Sequence, residues 1–178
     1  MVIEEKIIEH IENLSYQDKI KLINKIVPLK DFNNQKYRDK IMREMFDIPE
    51  TKGYYGPDSE NTSLKSVTIT PTKDKKYNIT EGKTFGILGR IDKIDTHDNS
   101  DTLFGLFSEE GEIKFVILVH SDENLDNLFK MEREVKQKKM ENGKNKYDGI
   151  TINFKVILKY NLSYEILYKS DDVILKIS

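Results

Sequence analysis

Neither cysteine nor tryptophan occurs in this chain of 178 residues. Without thiols there is no disulfide and no thiolate metal site, so an intracellular, cytoplasmic setting is the expectation. Long apolar runs are missing too. Nothing approaches the ~20 residues that span a bilayer, and no membrane partner is expected. Residues 1–12 are acidic and carry no apolar stretch of the kind that directs secretion. A surplus of either charge is also lacking: Lys and Arg total 29 against 31 Asp and Glu, a net charge of −2. That balance argues against a general polyanion binder and leaves a local basic face as the electrostatic route to nucleic acid.

Several chemical signatures fail for want of a residue. Gly82-Lys83-Thr84 has the end of a phosphate-binding loop, but the glycine needed five residues before Gly82 is Tyr77. Gly86 and Gly89 lack the third glycine of a dinucleotide fingerprint. The histidines, His10, His97 and His120, are scattered without metal-ligand spacing. Each reads as a surface or satisfied residue. No Gly-x-Ser-x-Gly elbow supports a Ser/His/Asp relay.

Nine tyrosines and eight phenylalanines are present, enough for a core of useful size in one domain. The first 34 residues read as a helical segment. Val2, Ile3, Ile7, Ile8, Ile11 and Leu14 recur at helical spacing, and Ser15 with Asp18 forms a capping box for a second helix that Pro28 ends. These faces pack either on the domain or on a second copy, so residues 1–34 are a candidate dimerisation region. A third helix is expected from Gln35 to Phe46, with Ile41, Met45 and Phe46 inward.

From Tyr54 the texture changes to strands: Tyr54 into a turn, then Leu64 to Ile69. Pro71 to Lys76 is a basic loop, and Thr80 is expected to open a helix carrying Phe85, Leu88, Ile91 and Ile94. Leu103 to Phe107 and Ile113 to Val119 form a hairpin around Glu109-Glu110-Gly111, and Leu125 to Met140 a helix with a basic end. Ile150 to Tyr160, Tyr164 to Tyr168 and Val173 to Ile177 read as late strands. The expected fold is α/β (α+β): a mixed sheet flanked by helices over residues 35–178.

One constellation carries chemistry. If a turn is centred on Glu60-Asn61, Asp58 lies opposite Ser63, and Lys65 shares the face of Ser63 because strand side chains alternate. A carboxylate beside a lysine is the arrangement used in metal-assisted phosphodiester hydrolysis: the acid holds a hard divalent ion, and the ammonium steers hydroxide.

The run Leu64-Lys65-Ser66-Val67-Thr68-Ile69-Thr70-Pro71-Thr72-Lys73, preceded by Gly56-Pro57-Asp58, resembles the metal-aspartate and lysine strands of the PvuII-like type II restriction endonucleases, in the PD-(D/E)XK superfamily. The resemblance continues in order through Asp101 to Phe107, Ile113 to Val119, Asn124 to Lys139 and Ile152 to Tyr168. It implies a restriction-endonuclease-like fold and a Mg²⁺-dependent homodimer acting on double-stranded DNA. Asp58 and Lys65 take the catalytic positions, and Asp58 with the Leu64 backbone carbonyl the metal positions.

The family's second carboxylate falls on Ser63, whose neutral hydroxyl is a poor Mg²⁺ ligand. Glu60 or Glu50 would have to supply the missing acid. Weak or absent cleavage is therefore one expectation, and a non-cleaving relative used for DNA binding or protein assembly is the alternative. Lys73, Lys75, Lys76, Tyr77, Asn78 and Thr80 are the candidate DNA contacts. Asn78 has the donor and acceptor for adenine, although capping of the next helix by Asn78 and Thr80 is the favoured role. Lys65, Lys73, Lys75, Lys76 and Lys83 are expected to cluster, with Glu109, Glu110, Glu112, Asp122, Glu123 and Asp126 on another edge.

Overall fold

The computed structural model describes residues 10, 11, 13–15, 18, 19, 22, 25, 35–49, 62–90, 100–142 and 149–177. The expectations for Glu50, Tyr54, Asp58, Glu60 and His97 lie outside the described residues. Near the start, the Ser15 hydroxyl accepts the Asp18 N–H at 3.2 Å and donates to its carboxylate at 2.7 Å, the expected cap.

Helix α1, Gln35–Met45, buries Ile41, Met42 and Met45 at helical spacing. It lies on a sheet made of β1 (Thr62–Thr68), β4 (Asp101–Phe107), β5 (Ile113–Val119) and β7 (Tyr164–Lys169), in the order β1-β4-β5-β7. β1 runs parallel to β4, and the other pairs are antiparallel. The β4–β5 hairpin turns where expected, at Gly111, whose φ of 89° suits glycine.

The sheet is covered on both faces. Ile41, Met42, Met45, Leu64, Leu103, Val116 and Tyr168 form the core under α1. On the other face Phe104, Phe115 and Ile117 meet Leu125, Leu128 and Phe129 of helix α2 (Glu123–Glu141) and Phe154 and Ile157 of helix α3 (Phe154–Lys159). Phe85 packs edge-on against Phe154, ring centroids 4.9 Å apart. Aromatic pairs of this geometry add about 0.5–1.5 kcal/mol beyond the area they bury. Two small ribbons complete this layer: β2 (Tyr77–Thr80) parallel to β8 (Val173–Lys176), and β3 (Gly86–Arg90) antiparallel to β6 (Gly149–Ile152). The chain is a mixed α/β protein with a mixed sheet flanked by helices.

Two expectations are corrected. Among the described residues no helix follows Thr80: residues 77–80 and 86–90 are strands, and Ile91 and Ile94 of the expected helix lie outside the described residues. Phe85 and Leu88 are both buried, which imitates one face of a helix, but exposed Ile87 lies between buried Gly86 and Leu88, the alternation of a strand. The second correction is the supposed strand from Ile150 to Tyr160. It stops at Ile152, because the Asn153 side chain accepts the Val156 N–H at 2.9 Å and starts α3.

Candidate functional site

Strand β1 carries the residues singled out for chemistry. Ser63 pairs with Thr102 and Lys65 with Phe104 in the parallel ladder, so both project to the α2 and α3 side of the sheet. Leu64 pairs with Leu103 and projects to the α1 side. Ser63 is 0% exposed, whereas Lys65 is only partly buried. Among the described residues the Lys65 ammonium meets no carboxylate. Gly86 lies against this strand so closely that a Cβ there would stand 3.1 Å from Lys65 Cβ and 2.9 Å from the Phe104 ring. The lysine stem is therefore walled on one side by β3. On the strand's far edge no described strand pairs with β1.

Lys73, Lys75 and Lys76 are exposed on the loop beyond the C-terminal end of β1. That loop closes on itself through Thr72 N–H to the Lys76 carbonyl at 2.7 Å, and Lys75 stands at its tip with a φ of 56°. The same end of the sheet holds the β4–β5 turn, where Glu109 accepts the Thr70 hydroxyl at 3.3 Å. So the basic loop sits beside one group of acids instead of opposite them. Asp122 lies at the other end, where it caps α2 through the Leu125 N–H at 2.9 Å.

Tyr77 is 6% exposed and points into the core, which removes it as a surface contact. Asn78 and Thr80 do not cap a helix. They lie on the outer side of the β2–β8 ribbon, opposite Ile174 and Lys176. The Asn78 Oδ1 is shielded and has no hydrogen-bond partner among the described residues.

Two arrangements were not read from the sequence. Lys114, 8% exposed, is gripped by Glu112 at 2.7 Å and Asp172 at 2.8 Å, with its ammonium 5.0 Å from the centre of the Tyr77 ring. Burial works to lower its pKa, but the hydrogen bonds to Asp172 and Glu112 outweigh it and raise the value. Burial likewise pushes the Asp172 carboxyl upward, but Lys114 and the Ser170 hydroxyl hold it below its ordinary range. Burial raises the Tyr77 and Tyr168 hydroxyls beside this ammonium. This cluster ties β5 to the turn before β8.

The second arrangement lies at the opposite end of the sheet. His120 Nδ1 is 3.2 Å from Asp101 Oδ2, and Asp101 Oδ1 accepts the Ser121 N–H at 2.7 Å. His120 is thus a satisfied histidine, as expected, but it is satisfied by a carboxylate. The residues are 19 apart and join only because β4 and β5 pair in antiparallel register. No group of three or more His, Cys, Asp or Glu able to hold a metal ion occurs among the described residues.

These features define a mixed α/β protein with a lysine-bearing strand that is outermost in its sheet among the described residues, and a separate His–Asp pair. No protein-family model matches the chain, and no curated protein matches it either. No helix among the described residues is long and apolar enough to cross a membrane.

Proposed function

We propose that this chain is a DNA-binding protein of the type II restriction-endonuclease kind, with the catalytic position at Ser63 silenced. The observation that carries this reading is the contrast along β1. Lys65 remains partly exposed without a carboxylate among the described residues, whereas Ser63, on the same face, is fully buried. A buried hydroxyl is neither charged nor open to a hydrated ion, so it does not replace an acidic Mg²⁺ ligand. Lys65 and the exposed Lys73, Lys75 and Lys76 then serve as phosphate contacts, and outward-facing Thr80 approaches base edges. The working unit is a homodimer assembled through residues 1–34.

The test is binding of a labelled duplex followed by fluorescence anisotropy. Binding is expected at low salt and weakens by at least about tenfold between roughly 50 and 200 mM salt as counterions are released. Plasmid incubated with Mg²⁺ or Mn²⁺ stays intact. Cleavage that is lost in Asp58→Ala would instead establish an active nuclease, with Mg²⁺ held by Asp58, the Leu64 carbonyl and Glu60. Absence of duplex binding at low salt overturns both readings.

A further inference from the structure

We propose that Ser163, His120 and Asp101 form a serine-nucleophile site that takes activated carboxylic esters, independent of the β1 face. The three residues stand in one row across neighbouring strands. Asp101 opens β4, His120 directly follows β5 and Ser163 directly precedes β7. The His120 N–H donates to the Ser163 carbonyl at 2.9 Å, one step beyond the Val119–Tyr164 pair, so His120 and Ser163 oppose each other across the ladder. Directly opposed residues in antiparallel strands project side chains to the same face.

The two ends of the row are tied in place. The Ser163 N–H donates to Asp122 Oδ2 at 3.3 Å, and the Ser121 N–H fixes Asp101 at 2.7 Å. The His120 and Asp101 side chains are each about one-third exposed, and Ser163 is exposed, so a ligand can reach the row. The order hydroxyl, imidazole, carboxylate is that of a nucleophile, its base and the group that orients the base. Ser163 Oγ makes no hydrogen bond to His120 in the free protein, and such contacts tighten when substrate binds.

With Nδ1 held against Asp101, the imidazole presents Nε2 as the base. Ser163 Oγ bonds to the ester carbonyl carbon as its proton passes to Nε2. The tetrahedral adduct collapses, the ester C–O bond breaks, and the leaving alcohol takes that proton. Water, deprotonated by the same nitrogen, then releases the acid and regenerates Ser163.

The test treats the full chain with a fluorophosphonate probe and locates the adduct by peptide mass spectrometry. Stoichiometric labelling of Ser163 is expected, with none in Ser163→Ala. Labelling slows by about 100-fold or more in His120→Ala, the usual contribution of a general base, and to a lesser degree in Asp101→Asn. Ser163→Ala removes only an exposed hydroxyl, and its thermal melt checks that the fold persists. An unlabelled Ser163, or labelling equally fast in wild type and His120→Ala, overturns the proposal. Duplex binding measured on the same variants is expected to be unchanged, so failure here is separable from failure of the DNA reading.

Discussion

Lys114 puts one charge almost out of reach of water, and the chain answers with two carboxylates, one of them, Asp172, 58 residues away from the lysine. Replacing it with Met leaves Glu112 and Asp172 facing each other without a cation. Both carboxylates are more than one-third exposed and can rehydrate, so the cost is moderate, about 2 kcal/mol. Urea melts at neutral pH measure it. The pH dependence follows from the two displaced groups. Asp172 is depressed, so its contribution is present above the ordinary carboxylate range and is lost as pH falls through its lowered value. Lys114 is raised, so its contribution is present below the ordinary lysine range and is lost as pH rises through its raised value. The stability gap between wild type and Lys114→Met is therefore widest between those limits and narrows at both ends.

Among elements, those with a single strong local signal were legible in the sequence. The β4–β5 hairpin shows two apolar runs around Glu109-Glu110-Gly111, and α2 shows its apolar spacing through Leu125, Leu128 and Phe129. The region from Tyr77 to Arg90 was not legible. Its buried residues come from different strands and loops, and by chance Phe85 and Leu88 fall three apart. Helix α3 was hidden because Ile150, Ile152, Phe154, Val156 and Leu158 also alternate as a strand would, and only Asn153 marks the change. Asn153→Ala removes the hydrogen bond to Val156 and is expected to cost about 1 kcal/mol. Thermal melting measures the cost, and faster amide exchange in residues 154–159 locates it. The site was half legible. Alternation alone places Ser63 and Lys65 on one face, whereas the meeting of Asp101 with His120 depends on register, which no local pattern reveals.

At the scale of the whole molecule, two layers of core on either side of one sheet make Phe154 a keystone, with no exposed surface and ring contacts to Phe85, Phe115 and Tyr164. Phe154→Ala is expected to cost about 3–5 kcal/mol, read from the same melts, because the cavity it opens is lined by rings that cannot all close in. At the β4–β5 turn the exposed loop lysines and Glu109 share one end of the sheet, so the even charge balance of the sequence is mixed locally there.

The parallel pairing of β1 with β4 also has a consequence in time. Thr62 and Asp101 are register partners, yet they leave the ribosome roughly forty residues apart. At about 5–20 residues per second, β1 waits roughly 2–8 s before its partner is made. Throughout that interval Leu64 and Val67 emerge uncovered, and a nascent-chain chaperone has its best opportunity to engage them.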